Sequence, residues 1–430
     1  MNPKINPLLK MMGLVAVLRL YPIKMLTYSR SIVTALAVLV FSQVRADNRY
    51  PIVLVHGFMG WGREEMSGYK YWGGFFDLEA YLEFRGYTVY TVSIGPVSSN
   101  WERAVEVYYQ VRGGQVDYGR SHAERWGVDQ KPKGKVYRGL YPEWDAEHPI
   151  HIIAHSMGGQ TARMIQHLLF TALYSDVAAT IPEESSFLGQ SHEGWIKSIT
   201  TIATPHNGTT LLDIRSRILP FLQYLIGIAD VVGTDFYDFD LQQWGFKREN
   251  GESWVDYYRR MQEHPAWETK NISAWDLSLE GARKLNTILK ADPNIYYFSF
   301  VTSATILDST LGRYIPDENI NFILRGKARS MGTKTAYWAD GTATDSTWYE
   351  NDGVVNTISQ YGPTTGLKGP DLIVEYTPNE VLIPGRWYTF GPYRMDHWYI
   401  LGHFILDDKK SNPIFELFEN HCKLLWSLPE

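Results

Sequence analysis

A chain of 430 residues with a formal net charge of −6 has no basic surplus, which excludes a nucleic-acid partner gripped through its phosphates. Its apolar share is ordinary for a globular protein, and its length suits one large domain or two smaller ones. The single cysteine, Cys422, excludes an internal disulfide, and the 15 Trp and 28 Tyr either fill a core or line a large apolar site.

Residues 1–46 read as a targeting segment. Lys24 and Arg30 precede an apolar run from Ile32 to Phe41, and Val44-Arg45-Ala46 offers a small-residue cleavage site before Asp47. The run is short for a bilayer span. The expected product is therefore secreted and comprises residues 47–430, with an uncleaved membrane anchor as the alternative. A start at Met25 would give a signal of more usual length.

Pro51-Ile52-Val53-Leu54-Val55 is a continuous apolar run, suited to a strand buried on both faces. The loop His56-Gly57-Phe58-Met59-Gly60-Trp61-Gly62 follows it. In hydrolases built this way such a loop supplies one N–H of an oxyanion hole, here that of Phe58. His56 itself reads as a structural hydrogen-bonder. Tyr69 to Phe84 ends in a helical pattern, Thr88 to Val92 is the next strand, and Trp101 to Val111 is helical. Residues 113–149, rich in Gly, Lys, Arg and Tyr, read as an irregular inserted excursion.

The stretch from His151 to Arg163 then runs His-Ile-Ile-Ala-His-Ser-Met-Gly-Gly-Gln-Thr-Ala-Arg. Its core is a G-x-S-x-G pattern with Ala154 in the first place. An apolar strand, a tight turn at Ser156 and a helix from Gln160 to Phe170 make a nucleophile elbow. The positive end of the helix dipole faces the hydroxyl. The N–H groups of Ser156 and of Met157 both stand near enough to meet an oxyanion, and Met157 is the chosen donor. Gly158 must be small because helix and strand converge there.

Ile199 to Ile202 and Tyr296 to Val301 are further strands. The alternation of strands and helices predicts an α/β fold with a mostly parallel sheet covered by helices on both faces. Between them, Leu211 to Val232 is strongly apolar at helical spacing with a break at Pro220. It is either a core helix or a lid over the site, spanning about residues 211–236. Tyr237 to Trp267 is a second helical, aromatic-rich excursion.

A nucleophilic serine needs a base, and the base needs a carboxylate to orient it. The carboxylate of choice is Asp352 in Asn351-Asp352-Gly353-Val354-Val355-Asn356, a turn anchored by an apolar pair. Asp340, Asp345 and Asp371 are rivals that read as surface loop residues. The base of choice is His397 in Met395-Asp396-His397-Trp398, on a loop after Trp387-Tyr388-Thr389-Phe390. His403, in an apolar run, and His421, on a terminal helix, compete with it.

Taken with Lys70-Tyr71-Trp72-Gly73-Gly74, Ser98-Ser99-Asn100-Trp101, Val116-Asp117-Tyr118-Gly119 and Thr200 to His206, these motifs resemble the large bacterial true lipases of the Geobacillus and Staphylococcus type. The likeness runs from about Tyr50 to about Trp426. It implies an α/β-hydrolase fold that cleaves triacylglycerols and shorter acyl esters under a helical lid. It also places Ser156, Asp352 and His397 on the family's triad, and Phe58 and Met157 on its oxyanion hole. The family's zinc site uses two Asp and two His. The matching positions here carry Glu102, His122, Val128 and Asn271, with Asp129 as a neighbour. Valine cannot ligate zinc and asparagine is a poor ligand. Tyr399 and Phe404 stand where the family's calcium site draws on acidic residues. No metal and no cofactor is expected.

The leading expectation is a secreted triacylglycerol lipase that touches a membrane or lipid-droplet surface transiently to reach its ester substrate. A phospholipase, thioesterase, polyester hydrolase or other carboxylesterase would use the same chemistry. A non-catalytic lipid-binding protein on this scaffold is expected only if the triad is broken. Asn207-Gly208-Thr209 and Asn271-Ile272-Ser273 match the glycosylation sequon, the first in a packed setting.

Overall fold

The described residues form eleven strands: β1 (Ile52–Val55), β2 (Val89–Thr91), β3 (Gly114–Gln115), β4 (Val136–Tyr137), β5 (Ile150–His155), β6 (Ile196–Ile202), β7 (Tyr296–Thr302), β8 (Thr305–Asp308), β9 (Arg313–Pro316), β10 (Leu372–Glu375) and β11 (Arg386–Tyr393). The computed structural model describes residues 48–173, 185–212, 251–262, 269–366, 371–406 and 408–430. The expected targeting segment lies outside the described residues, as does the expected lid apart from Leu211 and Leu212. Arg49–Trp426 is one compact unit; of the other, Asn48 and Ser427–Glu430 are described, and Asn48 Nδ2 donates to Leu428 O at 2.9 Å.

Seven of these strands make one sheet in the order β10-β11-β7-β6-β5-β1-β2, and every pair in it is parallel. The composition of the middle strands explains this. All four residues of β1 and all six of β5 are buried, so both faces of each must be covered. Ile150, Ile152 and Ala154 turn to the core that holds Ala162, Ile165 and Leu168 of the Met157–Phe170 helix. Ile153, Ile202 and Phe300 turn the other way, against Leu417 and Phe418 of the Asp408–Trp426 helix. The expected α/β-hydrolase architecture is therefore present, with helices on both faces.

The helices start where the sequence provides caps. Asp77 Oδ1 accepts from Ala80 N–H at 3.0 Å ahead of the Leu78–Phe84 helix, and Ser278 Oγ accepts from Gly281 N–H at 3.0 Å ahead of Leu279–Ile288. The excursion at 113–149 is less irregular than expected, since it holds the antiparallel β3–β4 pair and the Arg120–Trp126 helix. The β8–β9 hairpin, the Phe322–Met331 helix and β10 were not anticipated.

Among the described residues, six buried histidines are held neutral by their surroundings. Burial pushes His56, His151 and His421 down to about 3 and His403 to about 4, and it holds His155 and His206 well below the ordinary value. In the unfolded chain each would take a proton near pH 6.5. Their contribution to stability is thus present above that pH and lost as pH falls towards about 4. Asp276, raised to about 7 by burial, opposes one of them, because its contribution is fully present at acid pH and fades through neutrality. We expect the unfolding free energy to fall steeply from pH 7 to pH 5, by about 1.4 kcal/mol per pH unit for each extra proton bound by the unfolded chain. Chemical denaturation at pH 7, 6 and 5 checks this; a flat profile would contradict it.

Candidate active site

β5 ends at His155 and the next helix begins at Met157, so Ser156 alone makes the turn. A single residue can reverse the chain so sharply only in unusual backbone geometry, and Ser156 sits at φ 56°, ψ −129°. Such a conformation costs a non-glycine residue about 1–3 kcal/mol. Both peptide groups of Ser156 are pinned to hold it. Its N–H donates to Ile202 O at 2.8 Å, and its carbonyl accepts from Gly159 N–H at 3.0 Å and from Thr204 Oγ1 at 2.8 Å. This corrects one expectation: the Ser156 N–H is committed to β6 and does not face a substrate. Met157 N–H remains, in the first turn of a helix whose leading N–H groups have no intrahelical acceptor.

Two glycines set the spacing around the turn. A Cβ on Gly158 would lie 2.4 Å from Val55 O and 2.7 Å from His56 O, so helix and β1 meet there without room for a methyl. A Cβ on Gly57 would lie 2.7 Å from the Cβ of Ser156, so the loop after β1 runs directly past the nucleophile.

That loop carries Phe58. The Gly57 carbonyl accepts from His56 Nδ1 at 2.9 Å and from Gly60 N–H at 3.2 Å. A trans peptide points its N–H opposite its C=O, so fixing this carbonyl fixes the direction of Phe58 N–H. His56 Nε2 accepts from Ile94 N–H at 3.1 Å, which leaves the ring proton on Nδ1, as the Gly57 bond requires. His56 therefore has the structural role expected of it. Beneath the loop, the buried Arg103 guanidinium donates to the carbonyls of His56 and Gly95 and to Thr161 Oγ1.

Asp352 and His397 arrive from loops at the same carboxyl edge of the sheet. His397 Nε2 stands 3.0 Å from Ser156 Oγ, and His397 Nδ1 stands 2.8 Å from Asp352 Oδ2. All three residues are buried. Asp352 has no idle oxygen. Oδ1 accepts from Val354 N–H at 2.9 Å and Val355 N–H at 2.7 Å; Oδ2 also accepts from Thr302 Oγ1 at 2.8 Å and Gln360 Nε2 at 3.2 Å. Each of its five partners donates to the Asp352 carboxylate, so His397 carries its proton on Nδ1 and turns a lone pair towards the serine.

The rivals are occupied elsewhere. Asp340 pairs with Arg283 at 2.6 Å, Asp345 caps a short turn, and Asp371 pairs with Lys290 at 3.0 Å. His403 Nε2 bonds Tyr71 O at 2.7 Å, and His421 Nε2 bonds Thr200 Oγ1 at 2.7 Å. Sequence reasoning missed Thr302 and Gln360. A buried Thr at the end of a strand and a Gln eight residues after the chosen Asp were the available signals.

The positions implied for metals do not fit metals. Glu102 Oε1 accepts from Asn271 Nδ2 at 2.6 Å and lies 3.4 Å from His122 Nε2, while the His122 ring is stacked on Trp101 at 5.0 Å. Val128 adds no donor and Asp129 is exposed. Just before His397, Asp396 spends its carboxylate on the N–H groups of Trp398, Tyr399 and Asn321, and Tyr399 and Phe404 after it carry no carboxylate. Among the described residues, no group of three or more His, Cys, Asp or Glu could hold a metal ion.

The chain matches the sequence model of the lipase-like, C-terminal domain family over residues 48–368. It is 36% identical to a lipase of Staphylococcus hyicus over 380 residues, covering 85% of this chain and 55% of that protein. It spans about half the length of the curated relatives it matches. Among solved structures, EstA from Clostridium botulinum superposes with a TM-score of 0.81 at 38% identity, over 91% of this chain and 90% of that one. Lipase 1 from Pelosinus fermentans gives 0.72 at 41% identity, over 86% and 99%.

The close approach at Gly158 is testable by thermal melts. Gly158→Ala would press a methyl against two backbone oxygens that cannot yield, and should destabilise the fold by about 1–3 kcal/mol. A melt like that of the unaltered protein would show that helix and β1 have slack.

Proposed function

The chain belongs to the lipase-like, C-terminal domain family, and on that premise we propose that it is a serine ester hydrolase that cleaves acylglycerols by an acyl-enzyme route. The observation that carries this reading is the array Ser156 Oγ, His397 and Asp352, at 3.0 and 2.8 Å. Ser156 attacks the ester carbonyl while His397 Nε2 takes its proton. Asp352 keeps the imidazole in the right tautomer and stabilises the imidazolium. The N–H groups of Phe58 and Met157 receive the negative oxygen. His397 then returns the proton to the leaving alcohol, and water attacks the acyl-enzyme by the same steps in reverse. Losing one oxyanion donor in sites of this kind costs on the order of 10²–10³ in rate.

An apolar substrate class is favoured by the surroundings. Phe404 and Leu406, in the segment following His397, are exposed apolar side chains. On the same reading the N-terminal segment directs export. No helix among the described residues is long and apolar enough to cross a membrane. The protein works without zinc or calcium, because Glu102 is engaged by an amide and Asp396 by backbone N–H groups.

Ser156→Ala, His397→Ala and Asp352→Asn should each lower hydrolysis of emulsified tributyrin by roughly 10⁴-fold, and a fluorophosphonate should label Ser156. Asp340→Asn, at an exposed ion pair, should leave turnover unchanged, and His403→Ala should stay far more active than His397→Ala. Labelling elsewhere, or a fully active His397→Ala protein, would remove the assignment. A strong preference for dissolved short esters over emulsions would move the substrate class away from acylglycerols.

Metal independence has its own test. Dialysis against EDTA should leave both turnover and the melting midpoint unchanged. Stoichiometric zinc in the purified protein, lost together with stability on chelation, would overturn the reading.

A further inference from the structure

Ser156 and its two partners leave one buried polar chain at the site without a task. Tyr71 belongs to a motif that the sequence singled out and gave no role. His155 is the variable residue of the elbow. Tyr71 Oη accepts from Gly57 N–H at 2.8 Å and lies 2.7 Å from His155 Nδ1. His155 Nε2 lies 2.9 Å from the backbone carbonyl of His397. Tyr71, His155 and His397 are all buried.

The donor directions follow from chemistry. A carbonyl can only accept, so His155 carries its proton on Nε2 and donates to His397 O. His155 Nδ1 is then an acceptor, so the Tyr71 hydroxyl must donate to it. That hydroxyl receives Gly57 N–H on a lone pair. Burial keeps His155 neutral and raises the Tyr71 phenol, so neither changes charge in the working range. The result is a directed chain: Gly57 N–H to Tyr71 to His155 to His397 O. One end is the peptide just before Phe58, the proposed oxyanion donor. The other end is the backbone of the proposed base, whose own N–H donates to Asp352 O at 3.1 Å.

We propose that Tyr71 and His155 are positioning residues that tie the oxyanion loop to the histidine loop, so that the two halves of the catalytic apparatus keep one fixed spacing. This rests on the reading of Ser156 and His397 as nucleophile and base. The two loops follow β1 and β11, four steps apart across the sheet, so they lack a direct strand-to-strand bond. The elbow lies between them and supplies the bridge. The tie should act on the transition state, which needs the oxyanion donors and the imidazole at once, more than on ester binding.

The variants are Tyr71→Phe, His155→Phe and the double variant. Each keeps an aromatic ring in place, so the contacts of Tyr71 with Trp61, Trp72 and His403 survive. Initial rates on a soluble p-nitrophenyl ester, active-site titration with a fluorophosphonate and thermal melts are read together. Tyr71→Phe should lower kcat about tenfold, the factor that goes with one neutral hydrogen bond, with KM nearly unchanged. The double variant should lose no more than the worse single one, because either change breaks the same chain. Full activity in Tyr71→Phe, with Ser156→Ala dead, would overturn the tie and leave the triad standing. Losses that multiply in the double variant, or that track a falling melting midpoint with KM rising in step, would also overturn it. An active Ser156→Ala protein would instead remove the reading beneath it. If His155→Phe fails to fold, Tyr71→Phe alone still decides through its kcat and KM.

Discussion

The site depends on one strained residue. Ser156 is held at a positive φ because the chain must pass from β5 into a helix within a single residue, and the cost of about 1–3 kcal/mol has to be met by its neighbours. One hydrogen bond to Ile202 O and two from Gly159 N–H and Thr204 Oγ1 clamp its two peptide groups. Ile202 and Thr204 belong to β6 and the residues just after it. The nucleophile's geometry is therefore fixed by a strand neighbour as much as by its own strand. It also explains why the segment after β6 is as tightly built as the elbow: Ala203 too has positive φ, and Thr204 fills the space that a side chain on Gly159 would need.

A second regularity is the use of neutral histidine as a strut. A buried neutral imidazole offers one donor and one acceptor about a ring's width apart, which suits it to bridge two backbone groups or a backbone group and a hydroxyl. His56 spans Ile94 N–H and Gly57 O, and His155 spans Tyr71 and His397 O. His151 reaches Ser198 across β5 and β6, and His421 reaches Thr200 from the opposing helix. For His56 and His155 the backbone partner fixes a tautomer, and so a direction, in a region where a lysine or a carboxylate would bring an uncompensated charge. Arg103 sits behind the oxyanion loop with its donors on two carbonyl oxygens and a hydroxyl.

What was legible in the sequence follows from what is local. Ile52 to Val55 and Ile150 to Ala154 declared buried parallel strands by apolar continuity, and Ser156 declared its turn by the small residues beside it. Gly158 was legible as a close approach, although not the particular oxygens it spares. Chain order, together with the resemblance, pointed to Asp352 and His397; His397 stands beside Ser156 and Asp352 behind His397. The missed parts are the side-chain partners. Thr302 and Gln360 hold Asp352 across 50 and 8 residues of sequence, and Tyr71 meets His155 across 84. Nothing in local composition marks such partners, because a hydroxyl or amide reads the same whether it is solvated or buried. The β8–β9 hairpin escaped for a related reason: Ile306 and Leu307 are exposed, so its pattern lacks the buried face that reveals a strand.

The region around Glu102 shows how one amide can tie two distant parts of the fold. Glu102 lies on the Asn100–Arg112 helix, and Asn271 lies just ahead of the Ser273–Asp276 helix, 169 residues away. Their 2.6 Å contact joins these two parts with one charge-assisted hydrogen bond. Asp276 Oδ2 accepts from Asn100 N–H at 2.6 Å and makes a second tie between the same parts. An amide at 271 suits this arrangement better than a carboxylate would. With Glu102 and Asp276 already buried close by, a third acid would repel both, whereas the amide nitrogen donates to Glu102 and adds no charge. The same position could serve a cation only if it surrendered that donor, so the residue that makes the site a poor metal ligand set is the one that makes it a good hydrogen-bonded joint.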